Sequence, residues 1–255
     1  MRIKLIFLSL ICVLAMGVTS AYAVAYLDDF SSGSLAAYTQ TDILAQGANG
    51  AVQFTSTGGN LSVTRSTGTY PEQKLLLINS SLDIGEILRL DTACAVTTGY
   101  ADLGIAVSAT VNPPYATYSG TNVDTRQNFF DMYLKNGSSG WGNVYFNPNT
   151  QPAGQNGYVT NQANYASVTG LWIYHKSLGV FDIGYSIGAI DTQFRELTGV
   201  SWDTGSPVIG LYTDLRTVQT YGTVDNLRVV PEPSTTILAI SGLIGMGLIW
   251  LRKRK

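Results

Sequence analysis

Ala51-Val52-Gln53-Phe54-Thr55, Gly58-Gly59-Asn60 and Leu61-Ser62-Val63-Thr64-Arg65 form the stretch on which the fold turns. Glycine and asparagine tolerate the left-handed backbone of a tight reversal. Two Val/Thr/Phe-bearing runs around them therefore predict a β-hairpin. In the second run apolar and polar residues alternate, the period of a strand with one face buried. Working outward, similar short runs follow at Leu75–Ile78, Ile87–Val96 and Leu103–Ala109. Later ones lie at Phe129–Leu134, Val144–Phe146, Leu171–His175, Phe181–Ser186, Val208–Tyr212 and Gly222–Val229. No long amphipathic helical pattern occurs between Val24 and Val230, and about eleven strands suffice for two packed sheets, so the domain is predicted to be an all-β sandwich. The segment Asn136–Asn164, rich in Gly, Asn and Gln with one clear strand, is expected to form long loops, where binding sites concentrate.

A chain of 255 residues with 45% apolar and 13% charged residues has the composition of one folded domain rather than of a disordered protein. The net charge of -2 conceals an uneven distribution. Two of the 15 Lys and Arg residues lie in the first four positions and four in the last four. That leaves nine against sixteen acids between Val24 and Val230, a domain charge of about -7. Such a balance excludes nucleic acid as a partner, because its phosphates must be neutralised by Lys and Arg.

Both termini read as membrane-directed. Arg2 and Lys4 precede an apolar run from Leu5 to Val18, and Ala21-Tyr22-Ala23 supplies the small-residue pattern of a signal peptidase site, predicting a signal peptide over residues 1–23 cut after Ala23. The apolar run is short for a permanent span. At the other end, Thr235–Leu251 is uncharged and mostly apolar, 17 residues long, and is followed by Arg252-Lys253-Arg254-Lys255. A transmembrane helix over 235–251 is expected, with the basic tail 252–255 cytoplasmic and the domain 24–230 outside. A plain C-terminal anchor satisfies these features equally.

Pro231-Glu232-Pro233, a helix of this length carrying Gly242, Gly245 and Gly247, and a terminal basic cluster together resemble the PEP-CTERM sorting signal, over residues 231–255. The resemblance implies a bacterial exported protein, recognised by a membrane protease-transpeptidase of the exosortase type and cut near Pro231–Pro233. The chain would be held in the inner membrane with its ectodomain in the periplasm, then passed to the cell surface or extracellular matrix. Two prolines keep this segment out of a helix and extended, within reach of a processing enzyme.

Three further stretches, Tyr26–Phe30, Leu171–Tyr174 through Phe181–Ser186 to Phe194–Leu197, and Thr223–Val229, resemble concanavalin A-like lectins and glucanases. That resemblance implies a two-sheet jelly roll whose first and last strands lie side by side and whose concave face or rim loops bind sugar.

The hydrolytic chemistry of that superfamily uses closely spaced acids on one strand, since residues two apart share a face. Glu72, Glu86, Glu196 and Glu232 stand far apart, so the chain is expected not to be an enzyme, with a glycoside hydrolase built from distant acids as the minority alternative. Gly184-Tyr185-Ser186-Ile187-Gly188 matches the G-x-S-x-G nucleophile elbow. That motif needs a strand-turn-helix setting and a following histidine. The sole histidine, His175, precedes it, so the match is read as chance and His175 as a strand residue with a satisfied ring.

One histidine and one mature-chain cysteine, Cys94, cannot build a zinc site. No cofactor is expected, with calcium the one plausible metal. Asp28, Asp29, Asp225 and Asn226 would supply oxygen ligands if the terminal strands are neighbours, or else cap turns at strand ends. Twelve of the 27 aromatic residues fall between Tyr115 and Tyr174. Sugar rings stack their C–H faces on aromatics, and Trp141, Tyr145, Tyr158 and Trp172 are the candidates for such a platform, against the alternative that they are core and strand formers. The resulting expectation is an envelope or matrix protein that binds polysaccharide. The alternative is an adhesive module with a protein partner.

Overall fold

A computed structural model describes residues 25–43, 52–57, 59–65, 72–93, 101–117, 124–136, 142–148, 168–215 and 219–231. Among them are sixteen strands: β1 (Ala25–Asp28), β2 (Tyr38–Asp42), β3 (Val52–Thr57), β4 (Asn60–Arg65), β5 (Glu72–Ser81), β6 (Glu86–Ala93), β7 (Ala101–Ser108) and β8 (Tyr115–Thr117). The others are β9 (Asp124–Arg126), β10 (Phe129–Asn136), β11 (Gly142–Pro148), β12 (Gly170–Ser177), β13 (Val180–Ile187), β14 (Ile190–Leu197), β15 (Val208–Leu215) and β16 (Gln219–Pro231). Each of the eleven predicted runs falls on a strand. The opening hairpin pairs β3 with β4, with Thr57 opposite Asn60 and Gly59 at φ 83° in the turn.

Fourteen of the strands form a two-sheet jelly-roll sandwich, and the other two, β8 and β9, pair with each other. The larger sheet runs β14-β13-β12-β6-β16-β4-β3, with β1 also on β16; the smaller runs β11-β10-β7-β15-β5-β2. The first and last strands are thus side by side, as the resemblance implied. Alternation builds the interior. Leu61 and Val63 of β4, Leu88 and Leu90 of β6, Leu171 and Ile173 of β12, and Phe181 and Ile183 of β13 meet Leu103, Ile105 and Val107 of β7 and Phe130, Met132 and Leu134 of β10. Each fully buried side chain of this size contributes about 1.5–3 kcal/mol relative to exposure. In β16 the inward residues are Val224, Leu227 and Val229. The step of three accommodates one extra residue at Asn226, whose φ of 52° marks a bulge that swings the strand back into phase.

The smaller sheet is buried on its other face as well. Ile43, Leu75, Leu77, Ala106, Phe129, Tyr133 and Tyr212 make a second apolar cluster there. This explains why Leu75-Leu76-Leu77 of β5 and Phe129-Phe130 of β10 are continuous apolar runs instead of alternating ones. Gly104 of β7 lies in register between Tyr133 and Tyr212, and the absent side chain lets the two rings meet with centroids 5.1 Å apart.

Among the described residues no helix is long and apolar enough to cross a membrane. The predicted signal peptide with Ala23, the span 235–251, the tail 252–255, Glu232 and Pro233 lie outside the described residues. Pro231 is the exposed last residue of β16.

Candidate functional site

The outward face of the larger sheet carries a network of bonded polar side chains. Its rows follow from register. Gly170 of β12 stands between Asp91 of β6 and Ser186 of β13, and Ser186 is opposite Asp191 of β14. One row further, Trp172 stands between Arg89 and Gly184. Strand alternation aims all of these away from Leu88, Leu90, Leu171 and Ile173 in the core. Because Gly170 has no side chain, its row sinks. The result is a depression of about 200 Å³ lined by Arg89, Asp91, Gly170, Ser186, Asp191 and Arg228, with Thr169 and the Gly188-Ala189 turn at its edge.

Two ion pairs frame the depression. Both terminal nitrogens of Arg89 donate to the two oxygens of Asp191, Nη1 at 3.1 Å, and Ser186 Oγ adds a bond to Asp191 Oδ1 at 2.7 Å. On the other side Arg228 Nη1 donates to Asp91 Oδ2 at 2.7 Å, joined by Asn226 Nδ2 at 3.1 Å. The Arg89 guanidinium, bonded to Asp191, holds that carboxyl below the usual carboxylate range, with Ser186 helping and partial burial opposing. Further along the face, burial pushes the Asp182 carboxyl up, and its Oδ1 accepts from Gln193 Nε2 at 2.9 Å. Lys176 bridges Asp182 and Glu196, holding the Glu196 carboxyl down.

Of the four predicted platform aromatics, Trp141 and Tyr158 lie outside the described residues, and Tyr145 is placed only as a position on β11, opposite Tyr133. Trp172 is fully placed. It is buried, with 9% exposure, its ring covering Gly184 so closely that a Cβ there would fall inside the indole. Nε1 donates to Tyr185 O at 3.3 Å. Trp172 is thus packed flat on the sheet beside the depression rather than standing out as a platform.

The four predicted calcium ligands bond at their own turns or to their neighbours. Asp28 Oδ1 accepts from Phe30 N at 2.7 Å, Asp29 Oδ1 from Ser31 N at 3.0 Å and Asp225 Oδ1 from Asn226 N at 2.7 Å. The Ser31 bonds hold the Asp29 carboxyl down. Among the described residues no three His, Cys, Asp or Glu side chains converge as a metal site requires. Asn226 is instead drawn to Asp91, at the edge of the depression.

Ser186 and His175 face opposite sides of the larger sheet. Ser186 precedes a β-turn into β14, not a helix, so no nucleophile elbow forms. His175 is fully buried, its ring stacked on Phe181 at 4.4 Å. Nδ1 lies 2.8 Å from Leu82 O and Nε2 2.9 Å from Asp203 Oδ2. Asp203 also accepts from Gly179 N at 2.6 Å and Gly205 N at 2.8 Å. The histidine therefore ties three loops together at one end of the sandwich.

Arg89, Asp91, Gly170, Asp191 and Arg228 were not singled out from sequence. Alternation in Ile87-Leu88-Arg89-Leu90-Asp91 does mark Arg89 and Asp91 as outward neighbours. Their partners come from strands about 80 to 140 positions away, paired only through the sheet order.

No family model matches the chain, and a search of curated proteins finds no match. Solved structures do resemble it. A galectin-like protein from Bacillus subtilis aligns at TM-score 0.44 and 12% identity over 82% of this chain and 96% of its own. A legume lectin-like domain from Entamoeba histolytica aligns at 0.47 and 9% over 75% and 88%. LamA from Z. galactanivorans, in complex with laminaritriose and laminaritetraose, aligns at 0.47 and 11% over 82% and 100%.

Proposed function

We propose that this chain is an exported envelope or matrix protein whose β-sandwich binds polysaccharide, and which is anchored and sorted through its C-terminal tail by an exosortase-type membrane enzyme. The observation that carries the binding half is the glycine-floored depression between Asp91 and Asp191. Carboxylates that accept alternate around it with guanidinium groups that donate, the equipment a hydroxyl-rich ligand needs. The sorting half rests on Pro231-Glu232-Pro233, the apolar stretch after it and the basic terminus.

A binding role is favoured over hydrolysis on electrostatic grounds. A glycosidase needs one carboxyl raised to act as general acid. At the depression Asp91 and Asp191 are each tied to an arginine, and Asp191 is held low, while the raised carboxyl of this face, Asp182, lies away from the depression, bonded to Gln193 and bridged by Lys176 to Glu196. The smaller sheet places Asp214 opposite Asp102 in register, the arrangement a hydrolytic pair would use. Asp214, however, is buried with its Oδ2 accepting from Gln73, out of a polymer's reach.

Affinity electrophoresis of the full chain, in mild detergent, through gels containing soluble polysaccharides tests the reading. Retardation by at least one glycan is the expected outcome. Uniform mobility, together with retention on envelope proteins stripped of carbohydrate, would replace it with a protein-adhesive role. Intact mass of the envelope-released form should show loss of residues after about Pro233; recovery solely as a full-length membrane form would remove the sorting step.

A further inference from the structure

We infer that the depression over Gly170 is selective for an uncharged sugar ring, presented by a neutral hexose polymer, and rejects uronates and sulfated glycans; this rests on the polysaccharide-binding reading and specifies its site and ligand class. The first support is geometric. β6 and β13 flank β12, so at about 4.8 Å between neighbouring strands the Asp91 and Ser186 backbones stand about 10 Å apart across Gly170. The side chains of these two strands rise on either side of a position that carries none, so a single six-membered ring can lie over Gly170 with its hydroxyls directed at the two walls. Gly170 is what keeps that space open: a Cβ there would sit 3.1 Å from Leu90 O and 3.6 Å from Ser186 Oγ, at the floor of the depression.

The second support is charge. Arg89 and Arg228 are each already matched by a carboxylate within the depression. An anionic sugar would have to displace Asp191 from a two-pronged pair with Arg89, or Asp91 from Arg228 and Asn226. It would then leave that aspartate facing the ligand's own charge. A neutral ring needs no displacement. Carboxylate oxygens turned to solvent accept its hydroxyl protons, and the Nε of Arg89 and the Nε and Nη2 of Arg228, without partners among the described residues, donate to its oxygens. The domain charge of about -7 adds a repulsion of the same sign against anionic polymers.

The test compares gels containing a neutral β-glucan or galactomannan with gels containing alginate or polygalacturonate, at low and high salt. Selective retardation by a neutral polymer, unchanged by salt, is expected. Asp191→Asn should weaken it about tenfold, the cost of losing one bond to a charged acceptor. Gly170→Ala should weaken it by at least as much. Lys176→Gln, on the same face but away from the depression, should leave it intact. Asp191→Asn replaces a partly exposed side chain and keeps the proposal testable if Gly170→Ala lowers the melting temperature. Retardation confined to the anionic polymers, or neutral binding untouched by Asp191→Asn, would overturn this assignment while leaving polysaccharide binding in place. Mobility unchanged in every gel would overturn both.

Discussion

At the residue scale the pair His175 and Asp203 shows how much one buried contact holds. A carbonyl oxygen only accepts, so the Nδ1 that touches Leu82 O carries a proton. Nε2 meets Asp203 Oδ2, so both ring nitrogens have a partner. With both side chains fully buried, removing one partner strands the other without water. Asp203→Ala is expected to destabilise the domain by about 3–5 kcal/mol, also releasing the Gly179 and Gly205 amides, and a urea titration reads this directly. A loss below about 1 kcal/mol would mean that water enters and that the pair is not closed. From sequence His175 is legible as a strand residue with a satisfied ring; that Asp203 satisfies it is not, because the two, 28 positions apart, meet only when β12, β13 and the following loops pack.

At the scale of elements, the charged face of β6, β12, β13 and β14 behaves as a unit. The Asp191 carboxyl is held below its unfolded value by Arg89, so its stabilising contribution is full above the ordinary carboxylate range and is lost as pH falls through that range toward the lowered folded value. Thermal melts of the native chain should therefore decline on acidification below about pH 4 more steeply than those of Asp191→Asn. Parallel declines would show that the pair with Arg89 contributes nothing to stability, as many exposed pairs do. Legibility also varies by element. β1 and the second half of β14 are implied by resemblance and the eleven predicted runs are found, whereas β2, β8, β9 and the first half of β14 are not among them. β8 and β9 have three residues each, too few for a periodicity. β14, Ile190-Asp191-Thr192-Gln193-Phe194-Arg195-Glu196-Leu197, lies at the end of its sheet with five of its eight residues polar, so alternation is faint.

At the scale of the whole molecule, β1 and β16 lie side by side in the larger sheet, and residues 26–229 make a compact unit. A chain trimmed to Val24–Pro231 is expected to unfold in one cooperative transition, with a melting temperature within a few degrees of that of the untrimmed protein. Trimming further to Tyr38 should lower it sharply, since Phe30, fully buried, is lost from the interior together with β1. Coincidence of fluorescence and circular dichroism melts decides the first point; two separate transitions would show that the sandwich needs its termini.

The sequence by itself determined the fold class, the number and place of most strands, the asymmetry of charge and the failure of the G-x-S-x-G match. Each of these depends on local periodicity, composition or chain order, which a linear reading contains. Only the tertiary structure decided which strands are neighbours, and with that the depression between Asp91 and Asp191, the burial of Trp172 over Gly184, the pairing of His175 with Asp203 and the use of Asp28, Asp29 and Asp225 in turns. A strand's alternation fixes which way a side chain faces, but the hydrogen-bonded order of strands far apart in the chain fixes what it faces.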